Sequence, residues 1–314
     1  MPCCNSPAAH KAAVPAYAAE SVRDLLGHGG SGEILMVNSA GVYLSAEEHT
    51  VFLCDFTWGA VPTGIAVSDF REWVDKLHLE AGQPFTFAEN VLHFQGGELP
   101  LQFMEPPVYD VALHEPQSCR MRQAASDICA LHKEKGISML VRPLILEQEA
   151  SAVLSLNPYC ARAYPLFARL MHAMEENREE DVRGCVASLL GLGTGLTPSA
   201  DDVMLGMLFV FRQLPHTCGQ AVCVFRQSVA SLCDSHTNRI SAAYLKAILR
   251  GESFSRMEKV WRGLCGAEPP ETSVLTQIGS NSGSEMLLGM LLALHICGYR
   301  RMYRVNNNKA LLHV

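Results

Sequence analysis

The second half of this chain contains the motif GLGTGLTPSADD at residues 191–202, which runs directly into the apolar segment VMLGML at 203–208. Three glycines at alternating positions permit backbone conformations that other residues avoid, and they let a ligand approach the backbone closely. The apolar run indicates a helix, whose first N–H groups and dipole favour an anion. The stretch therefore predicts a glycine-rich loop that binds an anionic group at a helix N-terminus.

The same loop has a plainer interpretation as a helix cap. Ser199 and Asp202 have capping-box spacing, which explains these two residues without any ligand. It does not explain the glycines, Thr197 or the second carboxylate, Asp201. The loop is neither a dinucleotide fingerprint nor a Walker loop, because no strand clearly precedes it and no Lys follows the glycines. The predicted substrate-binding residues of this loop are Gly193, Gly195, Thr197 and Ser199.

A second stretch, GSNSGSE at 279–285, leads into MLLGML at 286–291 and resembles the first. Their alignment places Ser282 on Ser199, both at a capping position, and Glu285 on Asp202. Each apolar run contains a Gly, which costs about 1 kcal/mol against Ala unless two helices cross closely there. We predict two helices packed at these glycines, with both N-termini facing one pocket; the alternative is an old duplication in which only packing remains. Ser282, Gly283 and Ser284 are predicted to bind substrate.

A third polar cluster, HTNRIS at 236–241, enters another apolar run. His236 is a candidate base, and Arg239 has the geometry to clamp a carboxylate with two hydrogen bonds. The alternatives are an exposed surface His and a surface salt bridge. Thr237, Asn238 and Ser241 are predicted to bind substrate or to cap the helix.

The candidate catalytic residues are Asp201, Asp202, Glu285 and His236. Asp201 and Asp202 are adjacent, so on a regular helix they diverge by about 100° and do not point at one atom. With Glu285 they offer oxygen ligands of the kind that Mg²⁺ prefers. Nothing in the sequence requires a metal, however, and we predict neither a metal nor a cofactor.

The chain changes character near residue 115. Residues 21–115 contain short β-type runs and one helical segment, Asp69–Leu79, whereas helical periodicity dominates residues 116–314. The Ala- and Pro-rich residues 1–20 predict a loose N-terminus. The predicted fold class is α+β: a small, mostly antiparallel β domain with a helix, then an all-helical domain with Gly-rich loops at helix N-termini.

Composition excludes several classes of protein. The 314 residues are 48% hydrophobic and 18% charged, which supports a sizeable core and excludes a disordered chain. A net charge of −7 without a basic stripe argues against nucleic-acid binding. The longest apolar stretch, 286–297, is shorter than the roughly 20 residues of a membrane span. Without signal-peptide features or a Cys-x-x-Cys pair, the chain is predicted to be cytoplasmic, with mostly buried, reduced thiols.

Three motifs together resemble one bacterial family of formerly unknown function. They are GxGxGLTPSxDD at 191–202, TNxxSxxYL at 237–245 and GxxSGxExLLG at 279–289. The family includes the third, smaller subunit of the FdrA-associated oxamate carbamoyltransferase of anaerobic allantoin degradation. The likeness is sharp over roughly residues 185–300, and Val51–Leu53 and Gly59–Ile65 in the first domain are also similar.

The resemblance implies a subunit of a complex that interconverts oxalurate plus phosphate with oxamate plus carbamoyl phosphate. It implies FdrA-type partner subunits, and a small anionic substrate agrees with the predicted anion-binding helix N-termini. Where the family often has HTSGxD, this chain has SNSGSE at 280–285, and Asn238 replaces a usual second Thr. These departures leave open a paralogue acting on another carbamoyl or acyl compound. The other hypotheses are a non-catalytic assembly subunit and a metal-dependent hydrolase using the three carboxylates.

Overall fold

The computed structural model describes residues 13–105, 115–131, 136–155, 157–215, 219–266 and 271–299. The chain divides into two compact units, residues 1–108 and 109–314. The described part of the first unit contains eight strands, and the regular elements described in the second unit are helices. The α+β class is therefore confirmed. The predicted domain boundary between residues 115 and 116 stays a prediction.

The first unit contains a closed barrel. Its strands are β1 (Val14–Ala18), β2 (Gly30–Val37), β3 (Gly41–Ala46), β4 (His49–Asp55), β5 (Gly64–Val67), β6 (Pro84–Ala88), β7 (Val91–Phe94) and β8 (Gly97–Phe103). They follow the order β1-β5-β4-β3-β2-β6-β7-β8, and β8 closes on β1. The pairs β1–β8 and β4–β5 are parallel. The remaining neighbours pair in antiparallel fashion.

Alternation along the strands fills the barrel interior. In β6, Phe85 and Phe87 are buried while the residues between and beside them are exposed, as the two-residue period of a strand requires. Helices α1 (Glu20–His28) and α2 (Phe70–Leu77) contribute Leu26 and Phe70, among others, to the same apolar core. The first unit therefore has one continuous hydrophobic core.

Strand β1 contradicts the prediction that residues 1–20 form a loose N-terminus. Its residues Val14, Ala16 and Ala18 are buried in the barrel core. An Ala- and Pro-rich run has little intrinsic strand preference, so pairing with β5 and β8 determines its conformation. Residues 1–12 of that predicted segment lie outside the described residues.

The second unit is helical wherever the structure describes it. Its helices are α3 (Ser118–Ala130), α4 (Val141–Leu144), α5 (Ser151–Leu154), α6 (Pro158–Glu175), α7 (Glu179–Leu189), α8 (Ser199–Gln213), α9 (Gln220–His236), α10 (Arg239–Arg250), α11 (Ser255–Leu264), α12 (Ser273–Thr276) and α13 (Ser282–Ile296). Helices α8 and α13 are buried all round over residues 199–211 and 283–295. A helix that is apolar on every face belongs in the centre of a bundle.

Helix boundaries follow local chemistry. Asn157 precedes Pro158 and accepts a hydrogen bond from the Cys160 amide at 2.9 Å, which caps α6. Helix α6 therefore begins at Pro158. Among the described residues, the helices are too short or too polar for any of them to cross a membrane.

Candidate functional site

Helices α8 and α13 contact each other through two glycines. A Cβ atom on Gly206 would lie 2.0 Å from the carbonyl oxygen of Met286, and one on Gly289 would lie 1.9 Å from that of Val203. Positions 206 and 289 are equivalent in the alignment of the two helices, and so are 203 and 286. The same contact is therefore made twice, as a local two-fold relation requires. The predicted packing at these glycines is confirmed.

The two helices also begin at equivalent positions. Each has 15 residues, and their first helical residues are Ser199 and Ser282. The prediction that these serines are caps is wrong, because the N-cap positions are Pro198 and Asn281 and neither makes a side-chain cap hydrogen bond. Pro198 has φ −55° and ψ 141°, so the chain enters α8 one residue earlier than the capping-box spacing predicts.

Two carboxyl groups meet where α8 and α13 begin. Thr197 Oγ1 donates to Asp202 Oδ2 at 2.9 Å and lies 3.1 Å from Ser282 Oγ. Glu285 Oε1 accepts the amide of Ile137 at 2.8 Å. Asp202 is 0% exposed and Glu285 is 1% exposed. Two acidic groups therefore share a site that is closed to bulk water.

The environment of Asp202 favours its neutral form. Burial, and then the charge of Glu285, raises the pKa of Asp202 well above its usual value, although hydrogen bonds from Ser282 and Thr197 lower it. The buried Oδ1 atom of Asp202 has no hydrogen-bond partner among the described residues. Among the described residues, the charged groups that act on Asp202 are both acidic, Glu285 and Asp201. The pair is therefore suited to hold a proton.

Asp201 belongs to a second cluster. Its Oδ1 accepts the Gly191 amide at 2.8 Å, and its Oδ2 accepts the hydroxyls of Ser241, at 2.6 Å, and of Thr237. Burial raises the pKa of Asp201, and these three hydrogen bonds lower it. The predicted divergence of Asp201 and Asp202 is confirmed. Asp201 joins the start of the glycine-rich loop to the start of α10.

The arrangement contradicts a metal centre built from Asp201, Asp202 and Glu285. Both oxygens of Asp201 accept hydrogen bonds from groups outside the carboxyl pair, namely the Gly191 amide and the hydroxyls of Thr237 and Ser241. Across the described ranges, no three His, Cys, Asp or Glu side chains converge in a way that could hold a metal ion. The three carboxylates of the hydrolase hypothesis therefore do not converge on one point.

Asn238 ties the other end of the loop to α10. Its Nδ2 donates to the carbonyl oxygen of Leu196 at 2.9 Å, while its Oδ1 accepts the amides of Ile240 and Ser241 at 3.0 Å. Asn238 is thus the N-cap of α10, one of the two roles predicted for it. With Asp201, it fixes both ends of the loop.

The loop uses its glycines for different purposes. Gly191, Gly193 and Gly195 have φ values of 76°, 134° and 100°. A Cβ on Gly193 would lie 2.3 Å from the Ser199 amide nitrogen, whereas one on Gly195 would have no neighbour closer than 3.8 Å. Gly193 is therefore required by packing. Gly195 is exposed, and its conformation is required by the path of the loop.

Backbone hydrogen bonds show which amides remain for a ligand. In the first turn of α8, the amide of Ala200 donates to Leu192 O, and those of Asp201 and Asp202 donate to Pro198 O. The predicted free N–H groups of this helix are therefore largely used by the chain itself. Within the described residues, the amides of 193–197 donate to no backbone carbonyl. The candidate anion-binding groups are thus those of the loop.

Several predicted site residues lie outside both clusters. His236 is exposed, and its Nδ1 lies 2.9 Å from Ser235 Oγ. Arg239 is exposed at the first position of α10. Ser284 donates its hydroxyl to Asn281 O at 2.7 Å, and the backbone of Gly283 packs against Leu275 O. None of these contacts leads to the carboxyl pair.

Sequence reasoning missed the segment that supports Glu285. Ile137 donates to Glu285, and a Cβ on the preceding Gly136, which has φ 83°, would lie 2.3 Å from Glu285 Oε1. The sequence signal was a single Gly in KGIS at 135–138, which does not distinguish a turn from a close approach. The 148-residue separation of the two partners conceals the contact.

The clusters define a helical module whose glycine-rich loop adjoins a buried acid pair. Residues 189–294 match the family described as oxamate carbamoyltransferase subunit AllH, the family that the three motifs resemble. The match includes the loop, α8 to α12, and nearly all of α13. The family is named for a subunit, which implies other chains in a complex. No solved structure matches the chain.

Proposed function

We propose that this chain is a subunit of a carbamoyltransferase-type complex that converts oxalurate and phosphate to oxamate and carbamoyl phosphate. One observation carries the proposal: the segment that matches the oxamate carbamoyltransferase subunit family contains both the glycine-rich loop and the buried acid pair. Its partners are then FdrA-type subunits, and its location is the cytoplasm. The resemblance of the three sequence motifs supports the same assignment.

We assign the anionic group of the substrate to the loop amides of 193–197, beside the N-termini of α8 and α13. Successive backbone N–H groups form a concave site for anions, and each helix N-terminus adds about half a positive charge. Asp202 and Glu285 would oppose an anion if both were ionised. A proton on this pair removes part of that repulsion, which is consistent with the raised pKa of Asp202.

Two glycine variants test the loop. Gly195 and Gly82 are both exposed, with φ of 100° and 85°, and a Cβ atom at either position would have no neighbour within 3.4 Å. Ala at either site therefore costs similar backbone strain. Isothermal titration with phosphate, carbamoyl phosphate, oxamate and oxalurate should show binding that is weakened by Gly195→Ala and kept by Gly82→Ala. The titration is run on the full chain and on the complex with its partner subunits.

Turnover by the reconstituted complex provides the decisive measurement. If Gly195→Ala and Gly82→Ala complexes turn over oxalurate equally and bind the four ligands equally, the loop is not the substrate site. The second candidate, a non-catalytic assembly subunit, is favoured by the contacts of Asp201 and Asn238, which hold the loop to α10 rather than facing a ligand. In that case the complex assembles and its activity tolerates the loop variants.

A further inference from the structure

The glycine-rich loop loses much conformational freedom when it becomes ordered. Gly191, Gly193 and Gly195 all have positive φ values, and glycine loses more backbone freedom on folding than any other residue. A loop that becomes ordered only when its ligand arrives binds that ligand more weakly, whereas a loop already held in its bound conformation avoids this loss. The contacts that hold the loop therefore affect how tightly it binds an anion.

The carboxyl group of Asp201 holds the first residue of the loop. It is fully buried, and it accepts the Gly191 amide on one oxygen at 2.8 Å. The other oxygen accepts the hydroxyl of Ser241, at 2.6 Å, and that of Thr237. Because both oxygens are engaged, the carboxyl group cannot rotate without breaking at least one of these hydrogen bonds. Asp201 thus fixes the Gly191 amide relative to the start of α10.

The repeat of α8 in α13 provides an internal comparison for Asp201. The alignment that equates Gly206 with Gly289 also equates position 201 with position 284. Ser284 occupies that position, and its hydroxyl donates to Asn281 O at the start of its own helix. Both helices make the glycine contact, but at this position only α8 has a carboxyl group. Helix packing therefore does not account for Asp201, and its contact with the loop does.

The far end of the loop is held by the same turn between α9 and α10. Asn238 Nδ2 donates to Leu196 O at 2.9 Å. At the near end, a Cβ atom on Gly191 would lie 2.3 Å from His236 O, so the loop start also packs on the end of α9. The candidate anion-binding amides of 193–197 follow the first contact and adjoin the second. Their arrangement therefore depends on how the loop is joined to this turn.

We infer that Asp201 is the positioning residue of the anion-binding loop, and that it acts by joining the loop start to α10 through the hydroxyls of Ser241 and Thr237. The inference rests on the proposed function for the identity of the ligand. Asp201, a candidate catalytic residue in the sequence, then acts through the loop and not on the reacting atoms. The property that it controls is the affinity of the loop for the anionic group.

Ser241→Ala tests this role while it leaves the carboxyl group in place. It removes one donor to Asp201 and keeps the Ser241 amide that the Asn238 side chain caps. The matched control is Ser228→Ala, because Ser228 is also a buried helical serine, and its hydroxyl donates to Val224 O within its own helix at 2.8 Å. Both variants lose a buried hydrogen bond, so a general loss of stability would affect them alike.

A second pair of variants changes the other hydroxyl. Thr237→Val removes the donor and keeps the shape of the side chain, whereas Thr237→Ser keeps the donor. Thr237 is half-buried, so both variants are expected to fold. The serine variant should therefore behave as the wild type does, and the valine variant should behave as Ser241→Ala does.

Calorimetric titration with phosphate measures the loop without requiring turnover. Ser241→Ala and Thr237→Val should each raise the Kd for phosphate by about three- to tenfold, the range that the net contribution of one hydrogen bond represents. Ser228→Ala and Thr237→Ser should keep the wild-type Kd. The titration is run on the full chain and on the complex with its partner subunits. Equal Kd values for all five proteins overturn the inference, and so does absence of phosphate binding in both preparations.

Steady-state kinetics of the reconstituted complex separates positioning from a general structural role. In Ser241→Ala and Thr237→Val, KM for phosphate should rise with the Kd while kcat is little changed, because saturating ligand restores the loop conformation. A loss of kcat with unchanged KM would contradict the positioning role. If the wild-type complex lacks carbamoyltransferase activity, the proposed function fails, while the phosphate titrations still decide whether Asp201 positions the loop.

Discussion

The closest approach between α8 and α13 gives the sharpest prediction for stability. Gly289→Ala places a methyl group 1.9 Å from the carbonyl oxygen of Val203, about 1.5 Å short of the 3.4 Å at which ordinary contact begins. Ala is favoured over Gly in a helix by about 1 kcal/mol. Overpacking a core costs about 1–3 kcal/mol, and the upper end applies because backbone does not move aside as a side chain does. We expect the free energy of unfolding to fall by about 2 kcal/mol.

The matched control is Gly184→Ala on the exposed face of α7. A Cβ there would have no neighbour within 4 Å, so only the helix preference of Ala acts, and stability should rise by about 0.5–1 kcal/mol. Urea unfolding followed by circular dichroism measures both variants. The test is whether the two variants change the free energy of unfolding in opposite directions. If Gly289→Ala were neutral or as stabilising as Gly184→Ala, the packing of the two helices at their glycines would be refuted.

Three further predictions concern single groups. The folded-state pKa of Asp202 lies above its unfolded value of 3.8, so the free energy of unfolding of the wild type should fall as pH rises from the unfolded-state pKa to the folded-state pKa. Asp202→Asn should flatten that pH dependence, as urea unfolding at several pH values would show. Asn157→Ala should lower the free energy of unfolding by about 1 kcal/mol, because it removes the cap of α6; no measurable change in urea unfolding would contradict the cap. Cys160, buried and with a pKa of about 11, should react with iodoacetamide far more slowly than exposed Cys119, as peptide mass spectrometry would show.

The repeated pattern of glycine and acid was enough to predict how α8 and α13 pack. Each helix has an interior Gly and an acid at its fourth residue, and this repeated pattern can be recognised within the one sequence. The sequence also predicted a β domain in the first part of the chain, because short runs rich in β-branched and aromatic residues lie there. Strand β6 was not predicted, because it has only five residues and begins at Pro84, although Phe85 and Phe87 have the two-residue period of a strand. Pairing with β2 and β7 compensates for that weak local signal.

The roles of the two adjacent aspartates were not accessible from the sequence. Asp201 and Asp202 have the same chemistry, but the hydroxyls of Thr237 and Ser241 engage one of them while Thr197 and Glu285 adjoin the other. Ser241 comes from α10 and Glu285 from α13, so tertiary structure separates the roles. The same holds for the exposed position of His236, which a polar cluster before a helix does not reveal.

The glycine contact between α8 and α13 also affects how the chain folds as it is made. Gly206 and Gly289 are 83 positions apart, so α8 leaves the ribosome well before the helix that covers it. All residues from Ser199 to Phe211 are buried in the finished structure. Non-local contacts of this kind form late, and exposed apolar segments aggregate in the meantime. Nascent α8 is therefore the segment of the second unit that most needs protection by α9 and α10, or by a chaperone, until α13 is synthesised.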